Sequence, residues 1–258
     1  MPSDSLHYPP SSSEEYLPIC REFYDFTAAM ARRYRADHLE KTFSEILRRH
    51  TLLSWWLRDA ACELSEFPSV VEEFLSACDM NFDAAVTRFR PILSEFASRN
   101  FAGAYAWNPL FAQGRSVRWQ EPHPELPPSW CIIHLWNGVR PRSFLNDAHG
   151  FAVQLVELLE AAAKAYPQYD TLYTFSWLLS EPRFLCFFPE EWLRNLGSPH
   201  SGIHANLGFL GQFIAADGRL NRRTAQFYLD TGRLLFQPRS SHCSFKAMRE
   251  HLQTHFLS

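Results

Sequence analysis

Trp130-Cys131-Ile132-Ile133-His134 runs into Leu135-Trp136-Asn137-Gly138-Val139-Arg140-Pro141, and Thr171-Leu172-Tyr173-Thr174-Phe175 runs into Ser176-Trp177-Leu178-Leu179. Between them, Phe151, Leu155, Leu158, Leu159 and Ala162 recur at three- and four-residue steps behind a capping Asn146 or Asp147, which is the pattern of an amphipathic helix. Tyr166-Pro167 ends that helix because proline disfavours helical backbone in the residue before it. The stretch therefore reads as strand, helix, strand, a βαβ unit whose connection is long enough to join parallel neighbours. Parallel neighbours would bring His134 and Ser176 out at one sheet edge, where open α/β sheets place ligands.

Upstream, the pattern is helical. Tyr16, Ile19, Phe23, Phe26 and Met30 form one stripe; Leu39, Phe43, Ile46, His50, Leu53, Leu57, Ala60 and Leu64 form a second. A short third helix would bury Val70, Val71, Phe74, Leu75 and Cys78. Asn81 caps a fourth with Phe82, Ala85, Val86, Phe89, Ile92, Leu93 and Phe96 on one face, and Pro91 is expected to kink or restart it. These stripes read as core packing. Residues 1–13 are polar and rich in Ser and Pro, the composition of a disordered tail. Pro109, Gly114, Pro122, Pro124, Pro127 and Pro128 mark a connector with one short strand around Val117–Trp119.

Downstream, Pro182 and Pro189 each open a short segment, 197–202 is loop, and the apolar run 207–214 reads as a third strand. Asn221 caps a helix that Gly232 ends, and a last helix covers 244–256. The expected fold is α+β and predominantly helical: an N-terminal helical bundle packed on a small mixed sheet containing one βαβ unit. Its divisions are a tail at 1–13, a helical region at 14–105, a Pro-rich connector at 106–128 and an α+β region at 129–258 that carries the candidate site.

The chain of 258 residues is 46% hydrophobic and 15% aromatic, enough for a substantial core or an aromatic-lined pocket. A net charge of −3 argues against a nucleic acid partner. Only Lys41, Lys164 and Lys246 are lysines; the remaining basic residues are Arg, whose planar fork suits carboxylate and phosphate. Cys20, Cys62, Cys78, Cys131, Cys186 and Cys243 are scattered without a Cys-x-x-Cys pair. With no leader peptide and no run of 18 apolar residues, they point to reduced thiols in a cytoplasmic protein without a membrane span. The oligomeric state is left open.

A strand-end His134 suits acid/base work because imidazole titrates near neutrality. Asn137 is placed to orient it or to bind a carbonyl. Ser176 lacks the Gly-x-Ser-x-Gly elbow, so it reads as a donor more than as a nucleophile. Pro199-His200-Ser201-Gly202-Ile203-His204 spaces two imidazoles as a metal site would, but Gly and Pro break the helix on which that spacing works. Trp177 and the 197–206 loop, with His200, His204 and Asn206, are expected to line or roof the pocket. Arg183, Arg233 and the helix N-terminus at Arg222 and Arg223 are candidate anion holders. Cys243, beside His242, reads as a buried thiol at the entry to the last helix.

The His134 strand, Gly138, Pro141, the following helix and Ser176-Trp177-Leu178-Leu179 resemble the bacterial acyltransferase-associated domains related to the GNAT-like C-terminal module. The likeness covers residues 130–180 and implies acyl transfer, with a coenzyme A ester as the cofactor it suggests. Beyond Leu179 the chain departs, and the Arg/Gln-x-x-Gly-x-Gly/Ala pyrophosphate loop of catalytic GNAT domains is absent. The expectation is a soluble enzyme acting on a small-molecule substrate: catalytic His134, Ser176 and Asn137, an Arg-lined anion site, and acyl transfer as the reaction class. Two alternatives stand beside it: a metal-dependent enzyme with His134, His200 and His204 as ligands, and a non-catalytic binding or scaffold protein with an aromatic pocket.

Overall fold

The computed structural model describes residues 9–61, 67–99, 101–104, 111 and 114–258, with backbone alone at 58–61, 67, 68, 103 and 104. Cys62, Leu64, Pro109 and residues 1–8 of the expected tail lie outside this set. In chain order the helices are α1 (Ser13–Asp37), α2 (Phe43–His50), α3 (Leu53–Ala61), α4 (Phe67–Met80), α5 (Phe82–Arg99), α6 (Phe101–Ala104), α7 (Ala148–Ala165), α8 (Pro182–Leu185), α9 (Glu190–Arg194), α10 (Leu207–Leu210), α11 (Arg222–Thr231) and α12 (Phe245–Phe256). The strands are β1 (Val117–Trp119), β2 (Trp130–Leu135), β3 (Thr171–Ser176) and β4 (Arg239–Ser244). The fold is α+β and predominantly helical. No helix of the described residues is long and apolar enough to cross a membrane.

The chain divides into two compact units. Helices α1–α6 group with the segment Gly202–Leu235, and the sheet groups with Phe236–Ser258. A single α+β region over 129–258 is therefore not what forms, because 202–235 leaves it for the helical unit.

In the helical unit, α1 buries Ile19, Phe23, Phe26 and Met30 as its stripe requires. Tyr24 donates its hydroxyl to the Val86 carbonyl at 2.9 Å, and Phe26 meets Phe213 with ring centroids 4.9 Å apart. The second stripe is two helices, not one. The Thr51 hydroxyl donates to the Leu47 carbonyl at 2.6 Å and accepts from the Leu53 amide at 3.2 Å, a local bond that competes with helix continuation. Leu39, assigned to that stripe, is 72% exposed. Helix α5 runs unbroken through Pro91; Phe89 on one side and Leu93 and Ala97 on the other are buried, and that packed face holds the helix together. Ile92 turns outward from it. The expected strand at 207–214 is instead α10 followed by a 3-10 turn at Gly211–Phe213. Phe209, Leu210 and Phe213 are buried together at the three- and four-residue spacing of a helix, which a short apolar run conceals.

The sheet unit has strand order β1-β2-β3-β4. Strands β2 and β3 are parallel, joined through α7, while β1 and β4 pair antiparallel on the two sides. Strand β4, Arg239-Ser-Ser-His-Cys-Ser, carries no apolar alternation and is defined by its six-residue pairing with β3. Asp147 caps α7, its carboxylate accepting from Gly150 N–H at 2.9 Å. Phe151, Leu155, Leu158, Leu159 and Ala162 are all buried. Rings continue the core: Phe151 meets Phe187 at 4.9 Å, and Phe188 stacks on a fully buried Trp192 at 4.2 Å. Cys131 and Cys243 sit in this core, Cys20 and Cys78 in the helical unit, and Cys186 is exposed; all five are free thiols.

Gly232 ends α11 in the left-handed region at φ 70°. A Cβ there would also stand 2.4 Å from the Arg33 guanidinium. Gly232→Ala is expected to lower unfolding free energy by about 1–2 kcal/mol from backbone strain alone, as read from the shift in urea midpoint.

Candidate functional site

Strand alternation decides which side chains meet. Cys131, Leu172 and Cys243 are cross-strand neighbours and fully buried, so they define the inner face of the sheet. By alternation Ile133, Thr174 and Ser176 share that face. Trp130, Ile132 and His134 of β2, with Tyr173 and Phe175 of β3, stand on the outer face, half-buried. His134 and Ser176 therefore lie on opposite faces, and the pair does not form a shared site. Ser176 is 7% exposed, and its Oγ accepts from Leu178 N–H at 3.2 Å as the cap of the turn Trp177–Ser180. That is a structural hydroxyl, and the reason is parity: His134 and Ser176 lie toward the same end of parallel strands but on opposite faces of the sheet.

The other expected residues are dispersed as well. Asn137 donates from Nδ2 to the Arg142 carbonyl at 2.9 Å, bracing its own loop. Arg183 donates to Asn146 Oδ1 at 2.6 Å. Trp177 packs on Phe236 at 5.8 Å. His200, exposed, stands edge-on to Phe175 at 6.1 Å, while His204 belongs to the other compact unit, edge-on to Phe209. Asn206 precedes α10 as its cap residue. Arg222 pairs with Glu22 at 2.8 Å. Arg233 is exposed just after Gly232, its amide on Thr231 Oγ1. Among the described residues, no three His, Cys, Asp or Glu side chains gather closely enough to hold a metal ion, so His134, His200 and His204 do not assemble as ligands.

What His134 does meet comes from β1. Arg118 is its cross-strand partner. Gln120, two residues on, accepts from His134 Nε2 through Oε1 at 2.5 Å. Gln120 is itself held on both sides: its amide donates to the Ile132 carbonyl at 3.0 Å, and its carbonyl accepts the Tyr169 hydroxyl at 3.0 Å. With a carbonyl oxygen as partner, the ring proton sits on Nε2 and Nδ1 carries the lone pair. Burial and, secondarily, the positive charge of Arg118 push the His134 pKa down to about 4.

Arg118 is poised without a counter-ion. Its guanidinium lies over the Phe111 ring at 5.6 Å, and its buried Nε has no hydrogen-bond partner. No carboxylate of the described residues comes within 4.0 Å of it. Arg115, three residues earlier, is by contrast paired with Glu157. A buried unpaired donor costs about 1–3 kcal/mol.

Farther along the outer face, Trp130 stacks on His242 at 4.7 Å and leans on Tyr173 at 5.3 Å. Arg118 and Gln120 are the neighbours of His134 that sequence reasoning passed over. The strand at Val117–Trp119 was legible, and Arg118 and Gln120 fall on one side of it by alternation; which strand it would join was not. Compared with protein-family models, curated proteins and solved structures, the chain matches none.

A depressed imidazole pKa has a defined linkage sign. The unfolded chain takes up the His134 proton near pH 6.5 and the folded chain only near pH 4. The His134 contribution to stability is thus fully present above about pH 6.5 and is lost as pH falls toward 4. In an NMR titration the His134 ring is expected to titrate near pH 4, and in Arg118→Gln at higher pH. A wild-type midpoint near 6.5 would contradict this environment.

Proposed function

We propose that the chain is an enzyme acting on a small anionic molecule at the β1–β2 end of the outer sheet face, with Arg118 holding the anion and His134 as proton acceptor. One observation carries the reading: a guanidinium with a buried, unsatisfied donor stands directly across the strand pair from an imidazole clamped with its lone pair on Nδ1. Guanidinium recognises carboxylate or phosphate through its fork of donors. Burial is the main cause of the low His134 pKa; once an anion neutralises Arg118, the smaller, repulsive part is relieved, and the ring becomes more basic. That moves it toward the pKa at which a general base is effective near neutrality.

Acyl transfer is the reaction class we name first, on the resemblance of residues 130–180. In that scheme a substrate hydroxyl or amine gives its proton to His134 Nδ1 as it attacks the acyl carbonyl. The collapsing intermediate expels the leaving group, which takes the proton back from the ring. Arg118 faces the negative charge that builds on the acyl oxygen or on the bound anion. Ser176 has no part in it. A non-catalytic binding protein is the second reading, favoured by the aromatic outer face of Trp130, Tyr173 and His242. The two part at His134→Gln, which abolishes turnover in the first and alters only affinity in the second.

Calorimetric titration with inorganic phosphate and with acetate tests the anion site. Arg118→Gln is expected to weaken binding ten- to a hundred-fold, the scale of a charge-assisted hydrogen bond. Between pH 4 and 6.5 binding should be accompanied by proton uptake that His134→Gln removes. Affinity unchanged in Arg118→Gln would overturn the reading.

A further inference from the structure

The loop that follows β2 carries a second guanidinium in the same condition as Arg118. Arg140 lies over the Trp136 ring at 4.7 Å, and its Nε is buried without a hydrogen-bond partner. Trp136 in turn contacts Phe111, with ring centroids 6.4 Å apart, and Phe111 is the ring beneath Arg118. Two cations are thus linked through two touching rings, each cation stacked on one of them. No carboxylate of the described residues lies within 4.0 Å of Arg118, Arg140 or the neighbouring Arg142.

The loop is not a slack one. Trp136 N–H donates to the Ser116 carbonyl at 2.9 Å, and Gly138 N–H to the Ser116 hydroxyl at 3.2 Å. Ser116 itself is fully buried. Arg142 N–H bonds the Val139 carbonyl at 3.2 Å, and Asn137 spans the loop to the Arg142 carbonyl. Arg140 is therefore carried by a segment tied to the chain leading into β1, which also bears Arg118. Each guanidinium lies over its ring with Nε buried, so the terminal N–H groups are the donors proposed to meet a ligand. Two like charges joined through touching rings and without a carboxylate are stabilised most by a ligand with more than one anionic group.

Resting on the reading that Arg118 takes an anion, we propose that Arg140 forms a second anion subsite, so that the ligand is a small molecule bearing a chain of two or more phosphates. Phosphate is favoured over carboxylate because each group along a polyphosphate offers several acceptor oxygens to a fork of donors. A single phosphate engages Arg118 alone.

The whole chain is titrated calorimetrically with inorganic phosphate, pyrophosphate and tripolyphosphate at fixed ionic strength. Affinity is expected to rise at least ten-fold from phosphate to tripolyphosphate. Arg140→Gln should remove that rise while leaving phosphate binding within two-fold, and Arg140→Lys, which keeps the charge but loses the fork, should restore part of it. Arg118→Gln should weaken all three ligands, and Arg222→Gln, on the other compact unit, none. If phosphate binds through Arg118 but the rise is absent, or survives Arg140→Gln, the second subsite is wrong and the Arg118 site stands. If none of the three binds, the Arg118 reading fails with it.

Discussion

The parallel register of β2 against β3 is the constraint on which the sheet unit depends. Cys131 opposite Leu172, and Leu172 opposite Cys243, put three fully buried side chains in one row. Because side chains alternate strictly along a strand, that row assigns every neighbouring residue to one face or the other. Helix α7 and the Phe-rich segment around Phe184, Phe187 and Phe188 take the inner face into a common hydrophobic core with it. Trp130, His134, Tyr173 and His242 are left half-buried on the outer face.

Electrostatics then distinguishes one place on that face. Several arginines of the described residues are neutralised in the ordinary way: Arg32 by Asp83, Arg90 by Asp25, Arg222 by Glu22. Those pairs are largely exposed, and such contacts contribute little to stability. Arg118 and Arg140 differ in having rings for partners instead of carboxylates. Beside the first stands an imidazole kept neutral by burial and by that same charge. The cation packs on the Phe111 ring, and the imidazole is held by Gln120.

Much of the fold could be read from local pattern. Helices α1, α5, α7, α11 and α12 each carry a periodic apolar face, and several carry a cap residue that behaves as capping chemistry requires: Ser12, Asp147, Asn221, Ser244. Strands β2 and β3 were legible for the same reason. Strand β4 was not, because Ser and His at four of its six positions leave no alternation; it is defined by its pairing with β3. The 207–214 run was misread because five apolar residues in eight fit a strand and a turn of helix about equally well. The break at Thr51 turned on a single hydroxyl that bonds its own backbone in both directions.

For the site, the sequence alone determined that His134 ends a strand, that a parallel strand follows after one helix, and that arginine rather than lysine supplies the positive charge. Those are properties of residue order and local periodicity. Only the tertiary structure decided that Ser176 faces the core while His134 faces outward, that Arg118 and Gln120 are what the imidazole meets, and that Arg118 and Arg140 find rings in place of carboxylates. Alternation within one strand fixes a period but not its phase against the next strand. The neutralisation of a charge depends on neighbours brought in by strand pairing across long separations in the chain.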